Sequence, residues 1–192
     1  MKYEAKNFEN LFGLEGFSDN ALKIHFALYQ GYVSNTNKLI DELKSVNQES
    51  PARAEMQRRF GWEFDGMRLH EYYFESLSKN SQKIQEQSGL YKKIEDDFGS
   101  FDQWEKEFKT IASSRGIGWG ILYYDNKSNS LINNWVNEHD QGHLAGLPIL
   151  LNIDVFEHAF MIDYGTKKAD YISAFMKAIN WEVVSERFNK LF

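Results

Sequence analysis

From Leu22 to Leu43 apolar residues recur at helical spacing with a polar opposite face, and Ser18 or Asp19 stands before the run as a cap. This pattern predicts a long first helix, which Asn47–Pro51 breaks. A second helical stretch leads through Arg58–Gly61 into Met67–Leu77, where His70, Tyr73, Phe74 and Leu77 share one face. Ser78–Gly89 is polar and weakly periodic, so the boundary between two lobes is expected there. The expected division is an N-terminal helical-hairpin lobe over 1–85 and a C-terminal lobe over 86–192.

Beyond Phe98–Phe108 the glycines of Gly116–Gly120 interrupt the pattern. Trp119–Tyr124 and Ser130–Val136 then read as two strands around the polar turn Asp125–Asn129. Leu147–Ile153 is a continuous apolar run of strand length, and Asp154 ends it just before a helical stretch Val155–Tyr164. Asp170–Ile179 and Trp181–Leu191 close the chain as helices. The predicted class is α+β, a helical lobe followed by a small three-stranded antiparallel sheet packed with helices.

Composition narrows the chemistry. With 192 residues, 42% of them hydrophobic, the chain can bury a real interior, and 16% aromatic residues would serve either as core or as the walls of a small site. The formal net charge of -6 argues against nucleic acid or an anionic membrane surface as a partner. With no cysteine, disulfides, thiolate metal sites and thiol nucleophiles are excluded, so any metal must be held by nitrogen and oxygen. The opening Met1–Asn10 mixes Lys2, Glu4, Lys6 and Glu9 into its apolar residues and lacks the apolar core of a secretory signal. Apolar runs fall far short of the ~20 residues that span a bilayer. A cytoplasmic protein with no membrane contact is expected.

Asp154 and His158 are four apart, so a helix beginning by Asp154 would turn both side chains to one side, where they could share an ion. Taken alone, a carboxylate and a histidine at this spacing are more often a surface pair or a cap. His25 and His70 each lie on the aromatic face of a helix, flanked by Tyr29 and Tyr32 or by Tyr73 and Phe74. Singly, each is more often a satisfied core histidine than a ligand.

The pattern as a whole resembles the iron/manganese superoxide dismutase family along nearly the entire chain. The family's acid-to-histidine signature is matched by Asp154-Val155-Phe156-Glu157-His158-Ala159-Phe160, preceded by a similar strand over Gly146–Ile153. Its closing helix is similar to Asn180–Phe188, and its Gly-Trp-Gly strand start is similar to Gly118-Trp119-Gly120. The first helix matches through His25, Tyr32-Val33, Asn35 and Asn37, and Gly66–Phe74 matches the family's lead into a ligand histidine with an aromatic four residues later.

The resemblance implies one Fe or Mn ion per chain held by His25, His70, Asp154 and His158, in a homodimer. The implied reaction converts superoxide to dioxygen and hydrogen peroxide as the metal cycles between trivalent and divalent states. Three imidazoles and one carboxylate suit either metal, and the choice between them lies in surrounding geometry and supply. Tyr32 resembles the family's gateway tyrosine. His139 matches the variant in which a histidine contacts metal-bound solvent, with Glu138 the alternative one residue away. Trp119 is expected beside the ligands, and Glu157 at the dimer contact, accepting a hydrogen bond from the partner's His158. His143 completes a His-x-x-x-His spacing with His139 and reads as a loop residue.

The sequence also departs from the family. Seven steps separate His25 from Tyr32 where the family has eight; seven steps of ~100° fall only ~20° short of two turns, so both residues stay on one face. Leu28 and Tyr29 replace two central histidines, Met161 replaces a tyrosine, and Phe156 and Phe74 stand where the family tends to carry tryptophan. A slightly larger and less polar cavity rim is expected. Two rival readings share this fold, a metal-binding relative without turnover and a structural or assembly protein; the latter would be expected to lose ligands that this chain keeps. A non-haem oxygenase would need only two histidines and one carboxylate, leaving His25 or His70 unexplained.

Overall fold

A computed structural model describes residues 2–192; Met1, the first residue of the expected helical lobe, lies outside the described residues. The first long helix, α1 (Asp19–Ser45), is capped by Ser18, whose hydroxyl oxygen accepts from the Ala21 amide at 3.1 Å. Helix α1 ends at Ser45, just before the expected break at Asn47–Pro51, and Pro51 opens the next helix. It occupies the first turn of α2 (Pro51–Glu75), where its missing N–H costs nothing, behind a Ser50 cap. The two helices pack on each other as a hairpin. The segment before α1 straps across them, with Phe8 packed on Phe26, Tyr29 and Phe74.

After α2 the chain is irregular, pinned by Ser78 N–H to the Ala178 carbonyl and by Asn180 N–H to the Ser76 carbonyl. Helices α3 (Gly89–Phe98) and α4 (Phe101–Ala112) follow. They are separated by Gly99 at φ 83, a left-handed stop that glycine adopts without strain, and by the Ser100 cap. The expected hairpin comes next, as β1 (Gly118–Asp125) and β2 (Ser130–Asn137) around a polar turn. Strand β3 (Ile149–Asp154) pairs antiparallel with the other side of β1, giving the order β2-β1-β3. The chain ends with α5 (Glu157–Tyr164), α6 (Lys168–Ala178) and α7 (Trp181–Asn189). This is the α+β architecture that the sequence predicts. Helices α3, α4 and α7 pack on the sheet, and α2 packs on β3.

Element ends differ from expectation at several places, among them Phe98–Phe108, which the stop at Gly99 divides between α3 and α4; two further differences follow from local turns, and the second matters for chemistry. Strand β3 starts two residues later than the apolar run, because the run's first residues turn at Leu144–Leu147. Helix α5 starts at Glu157, not Val155, so Asp154 is the last residue of a strand and Phe156 is an extended cap. Asp154 and His158 therefore do not share a helix face. They meet because the Asp154 carboxylate turns back to accept the Phe156 amide at 2.9 Å, folding the strand end over the helix start.

Within the helix hairpin, the Tyr32 ring of α1 lies against α2 at Gly66. A Cβ there would lie 2.7 Å from Cδ1 of Tyr32, so only glycine lets the Tyr32 ring seat against α2. Gly61, in the same helix, faces open space. We expect Gly61→Ala to stabilise the protein by about 1 kcal/mol, the helix-propensity gain. Gly66→Ala should instead destabilise it by about 1–2 kcal/mol, because overpacking outweighs the same gain. Urea denaturation of both variants reads the two signs; a stabilised Gly66→Ala would contradict the packing described.

Candidate metal centre

Each expected ligand reaches the centre from a different element. His25 comes from the buried face of α1, His70 from the inner half of α2, Asp154 from the end of β3 and His158 from the first turn of α5. One candidate ligand atom from each lies within 4.8 Å of the other three. The Asp154 Oδ2 atom is the hub, 3.1 Å from His25 Nε2, 3.1 Å from His158 Nε2 and 3.4 Å from His70 Nε2. The other carboxylate oxygen is occupied by the Phe156 amide, and the Asp154 carbonyl accepts the Tyr171 hydroxyl at 2.6 Å. The carboxylate is thereby locked with one oxygen facing three imidazole nitrogens.

His70 shows what the arrangement is for. Its Nδ1–H donates to the Gly66 carbonyl at 2.5 Å, which leaves the neutral ring's Nε2 as a lone pair. That nitrogen is fully buried and has no hydrogen-bond partner among the described residues. A lone pair facing a carboxylate oxygen across 3.4 Å is repulsive without a cation between them. Nitrogen and oxygen donors in the ratio three to one fit a borderline first-row metal, so the residues suit Fe or Mn.

Electrostatics keep Asp154, His70 and His25 in ligand form and leave His158 the member that binds a proton most readily. Burial pushes the Asp154 carboxyl up, but the charge and hydrogen bonds of His158 and His25 outweigh it and hold it well below the usual carboxylate range. Burial holds His70 well below the ordinary histidine value and lowers His25 as well, with Asp154 opposing in both cases. At His158 burial again disfavours the charged ring, yet Asp154 wins and the value is raised.

A second layer of rings closes over the ligands. Tyr32 stacks on His70 with ring centroids 5.2 Å apart, and its hydroxyl lies 2.8 Å from His139 Nε2. Helix α1 runs without interruption from His25 to Tyr32, so seven steps do bring both residues to the centre. The Trp119 indole N–H donates to His139 Nδ1 at 3.1 Å. An indole can only donate, so Nδ1 carries no hydrogen, and the neutral ring's Nε2–H donates to the Tyr32 oxygen. Burial lowers His139 to about 4, consistent with a neutral ring.

Of the two neighbours in this loop, His139 is fully buried against the centre while Glu138 turns away to accept the Trp62 indole N–H at 3.0 Å. Phe156 stacks between His139 and His158, with centroid distances of 4.6 and 5.2 Å. Glu157 is exposed beside His158, and His143 lies outside the cluster, in the loop between β2 and β3.

Sequence reasoning does not single out Trp62, the packing role of Gly66, or Tyr171. The first two carried a signal, because Trp62, Gly66, His70 and Phe74 recur every fourth residue and so line one stripe of α2. Tyr171 gave none; its role depends on α6 crossing behind Asp154.

Comparison with known proteins agrees with this geometry. The family model described as iron/manganese superoxide dismutases, C-terminal domain, matches residues 86–187. The superoxide dismutase [Fe] of Aquifex pyrophilus is 37% identical over 98% of this chain and 92% of that protein. That of Saccharolobus solfataricus is 31% identical over 90% and 86%. Superoxide dismutase [Mn] 2 of Haloferax volcanii is 34% identical over 86% and 83%. A C-terminal half that carries two of the four converging side chains, and likeness over nearly the whole chain, lead to one conclusion: the chain belongs to the iron/manganese superoxide dismutase family.

Proposed function

We propose that His25, His70, Asp154 and His158 hold one Fe or Mn ion, at which the chain converts two superoxide ions and two protons into dioxygen and hydrogen peroxide. The observation that carries the ligand assignment is the buried, unpartnered His70 Nε2 facing Asp154 Oδ2. When bound, the metal supplies the one-electron redox chemistry, passing between trivalent and divalent states. The protein's own residues supply everything else. Two imidazoles whose charged forms burial disfavours, His25 and His70, and an ionised Asp154 present their electron pairs directly, while His158, whose proton Asp154 favours, gives that proton up as the metal binds. Tyr32 accepts from His139 Nε2–H, so its own hydroxyl hydrogen is free to be donated to a small anion arriving beside His70. Phe156, Trp119 and Trp62 wall off this space from bulk water. We assign Tyr32 and His139 as the residues that orient superoxide and move protons, with Trp119 fixing His139.

The same reading gives two lobes, over 1–85 and 86–192, with the metal between them. The irregular segment after α2 and the start of the matched C-terminal domain at 86 support that division. It also gives a homodimer. His158 keeps 20% of its side chain exposed, against 4% or less for the other three ligands. The adjoining surfaces of α1 and α5 expose Ile24, Leu28, Met161 and Ile162, an apolar face of the kind a partner covers. There Glu157 accepts a hydrogen bond from the partner's His158. Among the described residues no helix is long and apolar enough to cross a membrane. The acidic sequence supports a small-molecule substrate rather than nucleic acid, and the location we infer is cytoplasmic.

Metal analysis and superoxide consumption test the site directly. The parent protein should bind one equivalent of Fe or Mn, and His70→Ala or Asp154→Ala should lose the metal together with all turnover, because each removes one ligand of only four. Undiminished metal in either variant would sink the assignment. Glu157→Ala should weaken dimerisation, seen as dissociation on dilution in sedimentation velocity, and should loosen metal retention. A fully active monomer in dilute solution would overturn the dimer.

A further inference from the structure

His143 lies outside the cluster of ligands, yet both of its ring nitrogens are committed. Nε2 is 2.8 Å from the His139 carbonyl and Nδ1 is 2.7 Å from the Tyr123 hydroxyl. A carbonyl only accepts, so Nε2 carries the hydrogen and, in the neutral ring, Nδ1 accepts from Tyr123 O–H. Asp65 Oδ2 stands 3.8 Å from Nε2, beyond hydrogen-bond reach, so the ring's directed bonds are these two. The rings of His139 and His143 serve different partners and do not converge on one ion, despite their His-x-x-x-His spacing.

The anchor is rigid and the load is not. Tyr123 is 1% exposed in the central strand, paired with Ile132 on one side and Ile149 on the other. His139 sits past the end of β2, and the preceding Glu138 has φ 51, a left-handed conformation that costs a residue other than glycine about 1 kcal/mol or more. Such a turn persists only where surrounding contacts impose it. Three do so from outside the turn: the Ile117 carbonyl takes the Glu138 amide at 3.0 Å, Trp62 holds the Glu138 carboxylate, and His143 holds the His139 carbonyl. The last acts on the residue whose ring must meet both Trp119 and Tyr32, and a tilt of its peptide is amplified at the distant Nε2.

We propose that His143 is a positioning residue: it transmits the rigidity of β1 through Tyr123 to the His139 backbone and so aims His139 Nε2 at the Tyr32 hydroxyl. The inference rests on the reading of His139 and Tyr32 given above. His143 touches neither substrate nor metal, so its removal should leave the metal in place and disturb only the ring it aims.

The test is a double-variant cycle on metal-loaded enzyme, with the metal-free protein read in parallel. His143→Ala should retain the parent's metal content and lower kcat about tenfold, typical for loss of a support behind a metal site. His143→Gln should recover most of that loss, because its amide N–H can donate to the His139 carbonyl while its amide oxygen accepts from Tyr123. In a His139→Ala background, adding His143→Ala should change kcat by less than about twofold, since the residue acts through the ring already removed. In metal-free protein, nitrogen-15 NMR of His139 should show one Nε2–H ring state in the parent and in His143→Gln, and mixed states in His143→Ala. Should His143→Ala fail to fold, Tyr123→Phe removes the same anchor and must give the same ring mixture.

Multiplicative losses in the cycle, or a His143→Ala enzyme with parent turnover and an unchanged His139 signal, would overturn the proposal. A His139→Ala enzyme as active as the parent would instead sink the role given to His139 itself, which separates the two failures.

Discussion

The structure is organised around one buried anion. Asp154 is fully buried, and a carboxylate removed from water is costly unless charge and hydrogen bonds replace its hydration. Here one oxygen takes a backbone amide and the other faces three imidazoles, two of them at 3.1 Å. Supplying those partners fixes the architecture. The hairpin of α1 and α2 must bring His25 and His70 to the same point that β3 reaches with Asp154. Helix α5 must turn back at once to deliver His158, and α6 must cross behind so that Tyr171 can tie down the Asp154 backbone. The register of the sheet sets Trp119 opposite Asp154, which places the indole where it can reach His139.

Departures from the family pattern are absorbed by local chemistry rather than left as gaps. Tyr29, where the family carries a histidine, is fully buried; its hydroxyl donates to Glu71 at 3.0 Å and accepts the Lys6 amide at 3.0 Å. Glu71, itself nearly buried, is balanced by Arg68 at 2.8 Å and Lys6 at 3.7 Å. The replaced position thus ties the N-terminal strap to both long helices. The missing residue between His25 and Tyr32 is tolerated for a steric reason as well as a helical one: the glycine at 66 leaves room for the Tyr32 ring.

Much of this was legible in the sequence, and what was not has a physical explanation. Periodicity locates α1, the inner half of α2 and the strands, because each buries one face or both. The outer half of α2 is largely solvated, which is why Pro51–Gly61 reads weakly although it is helical throughout. The pair Asp154 and His158 was found on an argument that does not hold here: helical spacing presumes a shared helix, whereas a carboxylate cap bends a strand end onto a helix start. Glu138 against His139 was open in the sequence because loop residues lack a period. A left-handed Glu138 turns one side chain toward Trp62 and the next toward the centre.

The hydrogen bonds around the centre also have a common direction. The chain starts at Trp119, whose indole has a hydrogen and no lone pair to offer, so every later link is determined. Trp119 donates to His139, His139 donates to Tyr32, and Tyr32 keeps its own hydrogen unspent. Reversing the chain would require an acceptor at Trp119. A glutamate at the His139 position would be ionised near neutrality and could only accept, so Tyr32 would spend its hydrogen on the carboxylate. A neutral histidine with a lowered pKa, aligned by a tryptophan, leaves the phenol hydrogen unspent, which is what the role proposed for Tyr32 requires.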